Sequence, residues 1–141
     1  MELVYTPSDA AERDAVVRLR AWADASYGTH SDMKSHLGHC QAIGEHHPGK
    51  FQASSRKDSV VALSACESEC DSAVESTKAI VVSQALLRDF GHPAALPTPL
   101  MEDNESLIGL CSAPLGQGHK RTKHFATRIA YLLDNTHREL I

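Results

Sequence analysis

Aromatic side chains are scarce. Trp, Tyr and Phe together make up 5% of the 141 residues, so aliphatic side chains must supply most of the core. No uninterrupted apolar run approaches the roughly 20 residues that a bilayer-spanning helix requires. Nothing at the N-terminus reads as a signal peptide. The four cysteines, Cys40, Cys66, Cys70 and Cys111, include no C-x-x-C pair. That argues against a disulfide scaffold and for a reduced, cytosolic setting. Positive charge is not in excess either: 14 Lys and Arg against 18 Asp and Glu leave a formal charge of −4. An autonomous nucleic-acid binder would show a basic surplus, although a local basic rim can border an acidic pocket.

What is present fits one soluble domain. Apolar content of 42% and charged content of 23% are ordinary values, and the chain is long enough to bury a core. Residues 1–15 are polar and carry a Pro-Ser-Asp turn signal, which predicts a connecting tail ahead of a domain over 16–141. From Val16 to Ala23 the residues Val17, Leu19, Ala21 and Ala23 alternate with larger or charged ones, the period of a strand, and this strand is predicted to close on Asp24. Ser35 to Ile43 and Phe51 to Ser55 predict a second and third strand, joined by a turn at Glu45-His46-His47-Pro48-Gly49. Short loops between successive strands predict an antiparallel meander.

Val60 to Phe90 is the longest periodic stretch. Leu63, Cys66, Cys70, Ala73, Thr77, Ile80 or Val81, Gln84 and Leu87 step by three or four, marking one face of a helix. The helix is predicted to stop at Gly91, with Pro93 just beyond. Pro97 to Met101 predicts a fourth strand. A short helix capped by Asn104 or Ser106 should run to Cys111 and break at Pro114, Gly116 and Gly118. A last helix is predicted over Thr122 to Arg138, burying Phe125, Ile129 and Leu132 or Leu133. The order predicts an α/β fold: a mixed sheet, three strands antiparallel and the fourth parallel, with helices packed on it.

Three acids occupy special places in this layout. Asp24 closes the first strand, Glu67 lies one turn into the long helix and Asp103 follows the fourth strand. Strand ends and an early helical turn can converge, and clustered carboxylates are stable mainly when hard cations such as Mg²⁺ or Mn²⁺ neutralise them. Two such ions, about 4 Å apart, can activate water and stabilise the leaving oxygen of a phosphodiester.

Several blocks carry a resemblance. Ala21-Trp22-Ala23-Asp24-Ala25-Ser26-Tyr27-Gly28 resembles the GYSDADWAG block of the ribonuclease H domain in copia-type retrotransposon polyproteins. Lys34 to Gly38 resembles their STSGY strand, and the run from Ser54 to Glu69 their SSKKQPTVALSSTEAE block. Leu100-Met101-Glu102-Asp103-Asn104-Glu105-Ser106-Leu107-Ile108 is similar to LYCDNQSAI, and His119 to Phe125 to HERTKHI. These five blocks, in order, cover nearly everything from about residue 20 to 140. The resemblance implies a ribonuclease H-like fold and metal-dependent hydrolysis of the RNA strand of an RNA–DNA hybrid. It implies Asp24, Glu67 and Asp103 as catalytic metal ligands, Asp24 bridging two ions. It implies a reverse transcriptase domain as the neighbour in the parent polyprotein, whose end Leu3-Val4-Tyr5 resembles.

A further family block, a strand like YVPT and a helix with QLAD that carries the fourth metal-binding aspartate, is expected after Leu140-Ile141. Without it the domain is incomplete at its C-terminus, and the expectation is weak or absent activity. The alternative is a non-catalytic retroelement remnant serving as a binding or structural module, including one that only holds the template hybrid.

Other residues have plainer readings. Lys34, Arg56, Lys57 and Lys123 are candidates to grip phosphates, weighed against a solvated basic face. Asn104 is a candidate to touch the minor groove, where 2′-hydroxyls distinguish RNA. Glu69, Asp71, Glu102 and Glu105 read as solvated neighbours of the site acids, Glu102 and Glu105 with a minor prospect of tuning the site. The nine histidines form no set with zinc-finger spacing, and Cys66 and Cys70 read as core thiols.

Overall fold

The computed structural model describes residues 16–44, 49–112 and 125–141. The tail over 1–15, the turn at 45–48, the helix break at Pro114 and the candidate Lys123 lie outside the described residues. Seven elements follow one another: β1 (Leu19–Ser26), β2 (His36–Ile43), β3 (Gly49–Lys57), α1 (Ala65–Asp89), β4 (Leu100–Met101), α2 (Glu105–Ser112) and α3 (Ala126–His137). Among the described residues no helix is long and apolar enough to cross a membrane.

The strands form one sheet in the order β3-β2-β1-β4. β1 pairs antiparallel with β2, and β2 with β3, while β4 runs parallel to β1. This is the mixed sheet that the order of elements predicts. A parallel neighbour needs a crossover connection, and α1 supplies it.

β1 starts three residues later than its alternation suggests and continues two residues past Asp24 to Ser26. Val16 is exposed, whereas Leu19, Ala21 and Ala23 are buried under the helices. Past Ser26 the chain turns through Gly28, whose φ of +59° lies in the left-handed region open to glycine.

α1 starts at Ala65, not at Val60. Ser64 caps it, its hydroxyl accepting from the Glu67 N–H at 3.1 Å, while Glu67 Oε2 accepts from the Leu63 N–H at 2.7 Å. This Ser-x-x-Glu exchange is a capping-box arrangement, with the return bond one residue upstream of the cap itself. Leu63 therefore precedes the helix and is exposed, outside the face predicted for it. The other end stops as predicted. The His92 N–H reaches Leu87 O at 2.9 Å and the Gly91 N–H reaches Arg88 O at 3.0 Å, with Gly91 at φ +81°. These bonds make a Schellman motif.

The face of α1 that meets the sheet is small and partly polar. Ser72, Ala73 and Ser76 are buried against a sheet that presents Ala21 and Ala23. Small residues on both sides allow close approach. The Ser72 hydroxyl uses it, lying 2.9 Å from Asp24 O and 2.8 Å from Gly38 O. One proton thus serves two carbonyls on neighbouring strands. Further along, the Gln84 amide donates to Thr98 Oγ1 at 2.9 Å and to Leu140 O at 2.8 Å.

An adjoining face of α1 packs on α3. Cys70, Ala73 and Val74 join Leu107, Phe125, Ile129, Leu132 and Leu133 in one cluster; Leu19, Ala21 and Ile80 form a second, smaller one. Phe125 is the one aromatic in these buried clusters, in keeping with the low aromatic content. Arg128 crosses from α3 to α1, where its guanidinium lies 3.2 Å from Glu67 Oε1 and 2.6 Å from Asp71 Oδ1. Both acids are nearly buried. Burial pushes the Asp71 carboxyl up to about 6 against the pull of Arg128, so this clamp offsets a large desolvation cost.

Two predictions follow from this packing. Arg128→Met should destabilise the protein by about 3 kcal/mol in urea unfolding at pH 8, because two buried carboxylates lose their cation. Ser72→Ala should cost about 1–2 kcal/mol in the same assay, leaving two strand carbonyls without their shared donor. A loss below about 0.5 kcal/mol for either variant would show that the contact does not hold the layer together.

Candidate metal centre

The parallel register brings the first two acids together. Ala21 pairs with Leu100 and Trp22 with Met101. The same offset, carried two residues further, sets position 103 level with position 24. β4 ends at Met101, and the next residues lead into α2, whose first turn is capped by Asn104 Oδ1 accepting from the Leu107 N–H at 3.0 Å. Asp103 lies in that short connection. Asp24 lies within β1, opposite Gly38 of β2.

The acid that lies with Asp24 and Asp103 is Glu69, and Glu67 is not in that group. Ligand oxygens of Asp24, Glu69 and Asp103 all lie within 4.8 Å of one another. Glu67 is occupied elsewhere, capping the Leu63 N–H with one oxygen and meeting Arg128 with the other. Two residues along an α-helix correspond to about 200° of rotation, so positions 67 and 69 face opposite ways. Glu69 stands one turn before Ser72 on the sheet-facing side, and Ser72 touches the Asp24 carbonyl. Glu67 and Asp71 share the other side with Arg128. The expectation that Glu69 and Asp71 are solvated is corrected likewise, since each is 7% exposed. A sequence signal for this division exists: Ser64-x-x-Glu67 has the spacing of a capping box, which commits Glu67 to the helix end.

Among the described residues the cluster is electrostatically uncompensated. Asp24 and Asp103 are exposed, while Glu69 is buried with its Oε2 lacking any hydrogen-bond partner. Burial first, then the charges of Glu102, Asp24 and Asp103, push the Glu69 carboxyl up to about 7, against a backbone contact from Ala25. Among the described residues no ion pair reaches Asp24, Glu69 or Asp103. An orphaned buried carboxylate oxygen facing two further carboxylates is a hard, all-oxygen donor set. It fits Mg²⁺ or Mn²⁺ and suits zinc or copper poorly.

The candidate substrate contacts are placed as follows. Lys34 Nζ donates to Ser59 O at 2.7 Å. Arg56 pairs with Glu75 at 3.1 Å and Lys57 with Asp32 at 2.7 Å, in ion pairs whose side chains are more than a third exposed. Exposed pairs of this kind contribute little and exchange readily. Asn104 spends its side-chain oxygen on the helix cap.

Among the described residues the histidines and cysteines gather no ligand set. His36 and Cys40 lie on one face of β2 and His39 on the other, as strand alternation requires. His30 Nε2 lies 3.1 Å from His36 Nδ1, and His36 Nε2 lies 2.8 Å from Ser55 Oγ. All four cysteines are free, and Cys70 is fully buried. Burial raises the thiols of Cys66 and Cys111, the latter to about 11, so both are protonated near neutrality.

Comparison with known proteins gives limited company. No family model matches the chain, and no curated protein matches it. Among solved structures, the crystal structure of RNase H1 from the halophilic archaeon Halobacterium salinarum is similar at a TM-score of 0.49 and 14% sequence identity, over 83% of this chain and 77% of that one.

Proposed function

We propose that this chain is a ribonuclease H-like domain of copia-type retroelement descent. In this reading it hydrolyses the RNA strand of an RNA–DNA hybrid with a divalent cation held by Asp24, Glu69 and Asp103. The observation that carries the reading is the convergence of these three acids around an orphaned Glu69 oxygen. It has further support in the β3-β2-β1-β4 sheet, the arrangement that the sequence resemblance implies.

Mg²⁺ or Mn²⁺ bound there would supply Lewis-acid polarisation of a phosphodiester. The chain's own residues do the rest. β1 and β4 hold Asp24 and Asp103 at fixed separation through their backbone register. α1 brings Glu69 in from the sheet-covering layer, anchored one turn later by Ser72. Asp24 and Asp103 are exposed and can meet a hybrid laid over the sheet end, while Glu69 stays sheltered from water. Arg56, Lys57 and Lys34 would meet phosphates after exchanging their present partners. Asn104 borders the cluster, and Lys123 follows the same reading by resemblance. The resemblance implies four metal-binding carboxylates and two ions. Three such acids cluster among the described residues, so the reading includes weak turnover. A reverse transcriptase domain is the partner that goes with this lineage.

A second reading has an observation in its favour. Arg56 and Lys57, the basic residues expected to grip the hybrid, are already neutralised within the chain. That fits a remnant that binds or supports without cutting.

One experiment separates the readings. A labelled RNA–DNA hybrid incubated with the chain and Mg²⁺ or Mn²⁺ should be cut, and single-stranded RNA spared. Asp24→Asn and Glu69→Gln should each lower the rate by about a hundredfold or more, whereas Glu67→Gln should leave it within about threefold. Hybrid binding without cleavage assigns the module. Loss of cleavage in Glu67→Gln but not in Glu69→Gln would overturn the site.

A further inference from the structure

Ser55, His36 and His30 form a chain of contacts on the sheet face turned away from α1. Ala23 faces the helices and pairs with His39, so Gly38 and His36 point to the other side. Gly38 pairs with Ser55 and His36 with Lys57. His36 and Ser55 are therefore diagonal cross-strand neighbours on one face, within reach of a long side chain. His36 Nε2 lies 2.8 Å from Ser55 Oγ, and His36 Nδ1 lies 3.1 Å from His30 Nε2. The ring centroids of the two histidines are 5.3 Å apart. His30 is itself held by the turn ahead of β2. Its N–H donates to Lys34 O at 3.1 Å, and its carbonyl accepts from the Met33 N–H at 2.8 Å.

The order of atoms along this chain has a chemical meaning. A hydroxyl on one imidazole nitrogen, with an orienting group on the other, is the arrangement that makes a serine nucleophilic. In the tautomer where the Ser55 O–H donates to His36 Nε2, the His36 Nδ1–H donates to His30 Nε2. His36 can then take the serine proton, while His30 fixes the ring and stabilises the imidazolium that forms. Ser55 is exposed, and Gly38, opposite it in the ladder, has no side chain to cover it. An open position of this kind suits small, reactive acyl donors.

We propose that Ser55 is an activated nucleophile that takes the acyl group of small activated esters, with His36 as its general base and His30 as a positioning residue. Ser55 Oγ bonds to the carbonyl carbon as its proton passes to His36 Nε2. The bond from that carbon to the alcohol oxygen breaks, and His36 gives the proton to the departing oxygen. Water then attacks the acyl-serine with His36 taking its proton, and His36 returns a proton to Ser55 Oγ as the acid leaves. This chemistry uses no divalent ion and stands apart from Asp24, Glu69 and Asp103.

Incubation of the parent chain with p-nitrophenyl acetate, followed by peptide mass spectrometry, tests this. An acetyl group should appear on Ser55, and nitrophenol release should rise with pH as the general base loses its proton. A chelator should leave the rate unchanged. Ser55→Ala and His36→Gln should each lower the rate by about tenfold or more, and Ser54→Ala, on the opposite face of β3, should match the parent. His30→Phe, which removes the acceptor for His36 Nδ1–H, should slow release and move the pH profile to lower pH. His30→Glu, which restores an acceptor, should recover the rate and move the profile to higher pH. Acetyl groups on lysines or histidines with Ser55 unmodified, or a Ser55→Ala rate within about twofold of the parent, would overturn the proposal.

Discussion

The parallel pairing of β1 with β4 is the constraint on which the site depends. It involves two residue pairs, Ala21 with Leu100 and Trp22 with Met101, yet it fixes the offset between two segments almost eighty positions apart. Everything before it prepares that match. The meander supplies an edge at β1, and the 25-residue α1 carries the chain back across the sheet so that β4 arrives running the same way as β1. A one-residue slip would put Glu102 level with Asp24 and turn Asp103 toward the helices, since strand side chains alternate.

The second determinant is how closely α1 lies on the sheet. Its contact face is made of serines and alanines, and one of those serines bonds to two strand carbonyls. The cost of this polar seam is visible nearby. Gln41 is fully buried with both amide atoms unpartnered, and the buried Ser76 hydroxyl also lacks a partner. Buried polar groups without partners are expensive, so this face is set by the approach it permits more than by the apolar area it removes from water.

Much of this was legible in the sequence. Alternation located β1 through Leu19, Ala21 and Ala23, because strand period is a robust signal. The end of α1 was legible because Gly91 and Pro93 have narrow conformational roles. Buried Ile129, Leu132 and Leu133 followed from helical spacing. The start of α1 was misplaced because apolar residues at 60–63 extended the pattern, whereas Ser64 ended it by a local hydrogen bond. Which of Glu67 and Glu69 lies with Asp24 and Asp103 is not legible in the sequence for a related reason. Both lie in the block that carries the resemblance, and only the helix's rotation relative to the sheet separates them. Asp24 and Asp103 were nameable, but their proximity depends on inter-strand register, which no local pattern encodes.

The capping role of Glu67 has a consequence for how this domain tolerates change. One carboxylate closes the helix end and the next, two residues on, belongs to the acidic cluster, so a single turn divides the two positions. Inserting one residue between Glu69 and Ser72 would turn Glu69 by about 100° relative to the packed remainder of α1 and swing the sheltered acid out of reach of its two fellows. Ser72, bonded to both strands, works as the alignment pin from which the third carboxylate is aimed.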